Sequence, residues 1–571
     1  MEKPWLKHYD EGVPATIDYP SIPLDQFLTD AAAKHPDHAA IVFGAALGSR
    51  VMDAQLTYGQ LDDAVNRFAA GLQKMGVQKG DRVAIMLPNC PQFVIAAYGT
   101  WRIGGIVVCC NPLYVPREVE HLVNDSGTET IVVMSSLYER VKSIRAATGL
   151  KRVIVTNIKE YFPGLLKFLF TLAKEKKEGH RVEISDDADT YWFQSVLQST
   201  AAQPAPVKIE PEEVATLIYT GGTTGVPKGA QLTHHNLVSN ATLLNVWSKS
   251  KEAEDVMIAC MPYFHVYGLT AGMNTPIANA LTIVQIPNPR DMVHVLKSIE
   301  KHRATYYPGV PTMFIGFNNF PTRDEYDLTS LRFAVSAAAP LPPEVQQKFE
   351  TITGGKMVEA YGLTETSPAA CMDPIEHPRA RSIGVPVPDT ELKIVDADTG
   401  TQEMEVGEVG EIIIKGPQVM KGYWNMPTET ANAIRTGPDG QTGWFYSGDI
   451  GYMDEDGYFH ITDRKKDIII AGGYNIYPAD VEAVLFEHAA VKEAAVVGVV
   501  DPRRGESVKA FIVLKEGESA TKDEIIAFCR ERLAIYKAPR FIEFRDDLPK
   551  SIIGKVLRRS LRDEEAQSVE K

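Results

Sequence analysis

Short apolar runs bounded by turn residues recur along the chain, and between them the apolar positions repeat at helical spacing. The runs Asp81-Arg-Val-Ala-Ile-Met-Leu-Pro88 and Thr130-Ile-Val-Val-Met134 read as buried strands, with residues 91–101 and 116–124 between them as helices. Such alternation predicts a parallel sheet covered by helices. A Pro- and Ala-rich stretch, 201–211, predicts an extended connector. Beyond it Val214-Ala-Thr-Leu-Ile-Tyr219 starts a second α/β lobe that runs to about residue 380. From 384 to 461 the texture changes to short alternating strands, such as Glu391-Leu-Lys-Ile-Val395 and Gly410-Glu-Ile-Ile-Ile-Lys415, which predict a small β-rich subdomain. The last hundred residues alternate strand and helix again and predict a compact α+β domain. The fold class is therefore α/β, with lobes at about 1–200, 212–380 and 381–461 and no internal repeat.

Composition narrows the picture without changing it. A chain of 571 residues is too long for one core, and 44% hydrophobic with 23% charged residues is ordinary for a globular protein. The net charge of −15 argues against a nucleic-acid partner. Cys90, Cys109, Cys110, Cys260, Cys371 and Cys529 form no C-x-x-C pair, so neither a disulfide framework nor a structural zinc site is expected. A cytoplasmic setting is expected, because the charged, proline-containing Met1-Glu-Lys-Pro start lacks the apolar core of a signal peptide. The longest apolar stretch, 93–110, is broken by Arg102 and fits a buried helix followed by a strand. Residues 161–177 are strongly apolar and then strongly basic, which fits either a helix lying at the inner face of a membrane or one capping the core.

Candidate chemistry begins directly after the 214–219 run. Thr220-Gly221-Gly222-Thr223-Thr224-Gly225-Val226-Pro227-Lys228-Gly229 combines little side-chain bulk with hydroxyl donors and exposed backbone N–H groups, a composition suited to holding phosphate. It is not the common P-loop, whose lysine precedes Ser or Thr; here Lys228 follows a proline and precedes a glycine. Glu359-Ala-Tyr-Gly-Leu-Thr-Glu-Thr366 offers a carboxylate that would serve Mg²⁺ beside a triphosphate, although alone it would be an ordinary turn. Asp449, after the Ser447-Gly448 turn, either accepts from a ribose or merely closes that turn. Residues 462–476 read as a solvated linker or a hinge. Lys555, after Gly554, would alone be a solvated lysine.

In this order the segments resemble the adenylate-forming superfamily of acyl-CoA synthetases, aryl-CoA ligases, luciferases and adenylation domains, from Leu56-Thr-Tyr-Gly-Gln-Leu61 to Lys555. Leu87-Pro-Asn-Cys-Pro-Gln-Phe93, Met261-Pro-Tyr-Phe-His-Val-Tyr-Gly268, Tyr307-Pro-Gly-Val-Pro-Thr312 and Tyr361-Gly-Leu-Thr-Glu-Thr-Ser-Pro368 look most like bacterial long-chain fatty-acid–CoA ligases. The resemblance implies two half-reactions: a fatty acid and ATP give acyl-AMP and pyrophosphate, then CoA takes the acyl group and AMP leaves. It places Thr220, Gly221, Gly222, Thr223, Thr224, Gly225 and Lys228 on the phosphates. Thr364 and Glu365 would attend the α-phosphate and Mg²⁺, with Thr224 a further metal ligand.

The adenine pocket would be Ala338, Ala339, Pro340, Tyr361 and Gly362, and the ribose contacts Asp449 and Arg464. Lys555 would bridge the carboxylate and α-phosphate. Lys466 would be the hinge between a domain at 1–465 and a mobile one at 466–571, with Gly472 and Gly473 lining the CoA channel. His265 and Tyr263 would stand at the mouth of an acyl pocket also lined by Gly268, Ala271, Gly272 and Gly309; these small residues serve either chain space or close helix packing. Two departures stand out: alanines fill Ser336-Ala-Ala-Ala where the family often has glycine, and His235 stands where arginine is common. The implied partners are fatty acid, ATP and CoA, with no nucleic acid; a homodimer and membrane contact through 161–177 stay open. The alternatives are an aryl-acid (coumarate-type) ligase, a ligase loading a carrier protein and a non-catalytic nucleotide-binding fatty-acid carrier.

Overall fold

The structure, a computed structural model, describes residues 3–48, 50–185, 187–198, 203–220, 227–471, 474–501, 505–551 and 556–569. The chain divides into two compact units. One takes in Trp5–Glu391 and Lys415–Arg435; the other takes in Leu392–Ile414 and Thr436–Lys571, with the first four residues. The division thus falls at a different place from a boundary at 465/466, because the β-rich stretch clusters with the last hundred residues.

Among the described residues the larger unit carries two mainly parallel sheets. The first runs Gly422–Tyr423, Lys228–Thr233, Val214–Thr220, Ile106–Cys109, Arg82–Met86, Thr130–Met134, Arg152–Thr156, Thr190–Trp192. The second has Lys356–Gly362, Phe333–Ala337, Tyr306–Gly309, Val256–Ala259, Thr282–Gln285 and Ala39–Leu47 at its parallel centre, with antiparallel strands at both edges. The lobes are not contiguous halves of the sequence. Ala39–Leu47 crosses into the second sheet, where Ile41 lies opposite Ile283, and Val214–Thr220 crosses into the first, where Val108 lies opposite Leu217. Periodicity marks a buried strand but not its neighbours, which hydrogen bonding between distant segments decides.

The helix Pro91–Arg102 explains why both sheets hold together. Proline fits its first turn, where an N–H would have no intrahelical partner, and Gly104 ends it in a left-handed conformation (φ +69°). It is apolar on all sides because all sides are covered: Pro91 through Trp101 are buried. Trp101 donates from its ring nitrogen to Ala215 O (2.9 Å) in the first sheet, and Tyr98 donates to Asn274 Oδ1 (3.1 Å) beside the second.

Residues 161–177 contain the helix Gly164–Ala173, which faces two ways. Leu166 and Phe170 point inward, where Phe170 meets Phe162 edge-on and Phe162 stacks on Phe43 at 5.4 Å. Leu165, Phe168 and Leu172, spaced one turn apart, are 61%, 60% and 70% exposed. Among the described residues no helix is long and apolar enough to cross a membrane.

Apart from the end residues Glu391 and Lys415, the smaller unit contains an antiparallel set, Glu391–Val395, Gly410–Lys415, Trp444–Met453 and Phe459–Arg464. It continues into an α+β body in which Val491–Asp501, Gly505–Leu514 and Phe541–Phe544 are packed by the helices Pro478–Phe486, Lys522–Arg532 and Arg558–Val569. The mixed α/β class read from the pattern is the one the structure has.

Candidate active site

The phosphate-loop candidate joins two neighbouring strands in the sequence. Val214–Thr220 and Lys228–Thr233 pair antiparallel and close at Thr220 opposite Lys228. Gly221, Gly222, Thr223, Thr224 and Gly225 lie outside the described residues. At the hairpin base the Lys228 ammonium is mostly buried, ion-paired with Glu429 and 5.2 Å from the ring of Tyr423. Tyr423 in turn donates its hydroxyl to Glu365 Oε1 at 2.7 Å. Burial, followed by the charge of Glu365, pushes this phenol well above its ordinary range, so it remains a donor.

Sequence reasoning missed Tyr423 and Glu429. The signal was Gly422-Tyr-Trp424, an aromatic pair after glycine, but only pairing of Tyr423 with Ala230 brings it to the hairpin.

Glu365 and Thr364 sit, both buried, in the turn that follows the strand Lys356–Gly362. The turn is tight because Gly362 lacks a side chain: a Cβ there would lie 1.8 Å from Pro368 O. The Glu365 carbonyl accepts from Met420 N (2.8 Å), so the segment bearing Tyr423 also fixes the backbone of its carboxylate partner. With Oε1 taken by Tyr423, Oε2 accepts no hydrogen bond among the described residues. One such carboxylate oxygen beside phosphates fits the way Mg²⁺ is held, mostly by water and phosphate oxygens. Among the described residues no group of three or more His, Cys, Asp or Glu is placed to hold a metal unaided.

The adenine candidates converge at the ends of adjacent parallel strands. Phe333–Ala337 and Lys356–Gly362 are paired, so Ala338, Ala339 and Pro340 follow one strand while Tyr361 and Gly362 end the other. Ala338 adopts φ +71°, the left-handed conformation that alanine accepts only at a cost of about 1 kcal/mol and glycine accepts freely. Half-buried Glu359, on the strand Lys356–Gly362, and buried Asp373 form a carboxyl pair that the sequence did not reveal. Burial raises Glu359 and pushes Asp373 up to about 7, while Leu341 N donates to Glu359 Oε2 at 3.4 Å.

On the candidate acyl side the structure departs from the expected pocket mouth. Tyr263 is wholly enclosed, with its ring 5.4 Å from Phe93 and its hydroxyl accepting from Gln285 Nε2 (3.2 Å). His265 is half-buried and caps Val266–Leu269 by accepting from Tyr267 N (3.3 Å). A Cβ on Gly268 would stand 2.1 Å from Pro262 O, so this glycine serves close packing. The Gly272 position meets Tyr263 at an ordinary 3.6 Å, Ala271 is half-buried, and a Cβ on Gly309 would press on the Phe314 ring at 3.0 Å. The helix through these positions widens to π form over Thr270–Asn274, a local feature often found at functional sites.

In the smaller unit Asp449 and Arg464 lie opposite each other on paired strands, with Arg464 Nε donating to the buried Asp449 Oδ1 at 2.8 Å. The two ribose candidates, fifteen residues apart, thus form one unit. Lys466 follows in a single 3₁₀ turn, its carbonyl accepting from Arg562 (3.0 Å). Gly472, Gly473 and Lys555 lie outside the described residues. Among the residues flanking the Lys555 segment, Lys550 bridges Val556, and Leu557 N donates to Pro549 O (2.8 Å).

In the larger unit Tyr423 joins the strand bearing Lys228 to the buried carboxylate of Glu365, and the smaller unit carries the Asp449–Arg464 pair. The AMP-binding enzyme family matches residues 28–424, and the AMP-binding enzyme C-terminal domain matches 480–555. The chain belongs to the AMP-binding enzyme family. It is 44% identical to a long-chain-fatty-acid–CoA ligase of Bacillus subtilis over 99% of both chains. Among solved structures it resembles ATP-bound MatB from Rhodopseudomonas palustris, at TM-score 0.81 and 28% identity over 95% of this chain and 99% of that one. It also resembles a long-chain-fatty-acid–CoA ligase from Archaeoglobus fulgidus, at TM-score 0.69 and 29% identity over 94% and 99% of the two chains.

Proposed function

We propose that the protein is an ATP-dependent long-chain fatty-acid–CoA ligase. The observation that carries this reading is the convergence of Lys228 and Glu365 on Tyr423 beside the hairpin, a cation for phosphate and a carboxylate for Mg²⁺ on one support. A fatty-acid carboxylate oxygen attacks the α-phosphorus of ATP, and the bond to the β-phosphate oxygen breaks with pyrophosphate taking the electron pair. The CoA sulfur then attacks the acyl carbon, and AMP leaves. Because the carboxylate is already ionised, the first step needs no general base; the site must bring two anions together and neutralise developing charge. Bound Mg²⁺ supplies charge to the phosphates. Thr220, Thr223, Thr224 and Lys228 orient the triphosphate, Tyr361 and the 338–340 turn hold adenine, and Asp449 with Arg464 holds ribose. Lys555 bridges the two reacting anions, as a flexible point charge suits a charge that moves during reaction. Lys466 is the hinge on which 466–571 turns between half-reactions, bringing Gly472 and Gly473 to the CoA arm.

Competition between palmitate and a cinnamate-type acid tests the substrate class: palmitate is expected to give the higher kcat/KM for acyl-AMP formation, and a strong preference for the aryl acid overturns it.

The exposed face Leu165–Phe168–Leu172 of the helix Gly164–Ala173, followed by Lys174, Lys176, Lys177 and Arg181, suits peripheral contact with an anionic membrane. The full chain is expected to sediment partly with vesicles containing anionic lipid. Replacing the three apolar residues with serine is expected to remove that fraction while leaving activity on detergent-dispersed palmitate unchanged. Undiminished sedimentation would exclude this face.

A further inference from the structure

Consecutive residues of the strand Phe459–Arg464 point to opposite sides, and the two residues before the hinge candidate therefore do different things. Arg464 turns to Asp449. Asp463 turns the other way and is buried, although it belongs to the strand pairing with Trp444–Met453 and not to the α+β body that follows. It nevertheless holds that body twice. Its Oδ2 accepts from Ala479 N at 2.7 Å, in the first turn of the helix Pro478–Phe486, and its Oδ1 is met by Arg558 Nη1 at 3.4 Å.

Arg558 makes this contact consequential. It stands three residues after Lys555, and its guanidinium is clamped by Glu482 through Nε (3.0 Å) and Nη2 (2.5 Å). Its Nη1 also lies 3.6 Å from Asp467 Oδ2. Asp463 and Asp467 flank Lys466, so one guanidinium nitrogen touches carboxylates on both sides of the hinge candidate. Arg562 closes the far side, donating to the Lys466 carbonyl and pairing with Asp467 at 2.5 Å. Arg558, Glu482, Asp467 and Ala479 all follow Lys466 in sequence and would turn with it in the hinge motion proposed above, whereas Asp463, in the same compact unit here, precedes it and would stay behind. Such a rotation would break the contacts of Asp463 with Ala479 and Arg558 while sparing the one it accepts from Arg464 N at 2.7 Å.

We propose that Asp463 is a positioning residue for adenylation. It latches the body that carries Lys555, through Arg558 and the Ala479 amide, in the orientation used for acyl-AMP formation, and it releases that body for the thioester step. This rests on the proposed roles of Lys555 and Lys466. Thioester formation does not call on Lys555, so loss of the latch acts on one half-reaction and not the other.

The test compares full-length wild type with Asp463→Asn in two assays: palmitate-dependent pyrophosphate–ATP exchange, and palmitoyl-CoA formation from supplied palmitoyl-AMP and CoA. Weakening a charge-assisted contact and one amide contact is expected to lower exchange about tenfold or more while thioester formation stays within about threefold. Equal losses in both assays, or undiminished exchange, overturn the latch. Should Asp463→Asn not fold, Arg558→Lys keeps the charge facing Glu482 and Asp467 but shortens the reach to Asp463, and the same split is expected. Lys555→Ala run alongside separates the two failures: if it retains exchange, the underlying assignment of Lys555 fails and not the latch alone.

Discussion

Replacing Lys555 with alanine is expected to abolish acyl-AMP formation while leaving ATP binding largely intact. The residue contributes charge where two anions approach, and this is needed far more in the transition state than in the ground state. Removing one such preorganised donor typically lowers the rate about a hundredfold to a thousandfold. Pyrophosphate exchange and equilibrium ATP binding, measured on the same preparation, separate the two effects. Exchange near the wild-type rate would take Lys555 out of the role. The flanking fold should survive the change, because the Lys550–Val556 bridge and the Arg558–Glu482 pair on either side do not use the Lys555 side chain.

Glu365→Gln is expected to lower acyl-AMP formation about a hundredfold at ordinary Mg²⁺, with partial recovery as Mg²⁺ is raised. The substitution is chosen because the Gln amide oxygen still accepts from the Tyr423 hydroxyl, so the contact that orders the turn is kept and mainly the charge is lost. Titrating Mg²⁺ in the exchange assay gives the readout. A rate loss with an unshifted Mg²⁺ dependence would place Glu365 in a structural role instead.

Features written in contiguous residues were legible in the sequence. The strand Val214–Thr220 was legible as an apolar run ahead of a glycine- and threonine-rich segment, though not its antiparallel pairing with Lys228–Thr233, and the buried helix was legible as an apolar run that only enclosure on every side permits. Chemistry assembled from distant segments was not. Glu365 and Tyr423 are 58 residues apart and meet because Tyr423 pairs with the hairpin strand. Asp463 looked like one charge among several in 462–467, and only the strand's alternation separates its face from that of Arg464. Gly268 read equally as room for a chain or as close packing, and the Pro262 carbonyl 2.1 Å from where its Cβ would stand decides for packing.

The exchange of strands between the two sheets has a consequence for how the chain reaches this structure. Ala39–Leu47 finds one neighbour at once, the adjacent Arg50–Thr57, but its other edge pairs with Thr282–Gln285, more than two hundred residues later. During synthesis that edge, its backbone N–H and C=O groups unpaired and its side chains all apolar, must therefore wait until most of the larger unit has emerged. Such long closures slow folding and leave a strand edge open to other chains. Fragments ending before residue 282 lack the partner for that edge, so the first lobe of this protein is a region of its sequence and not an independent folding unit.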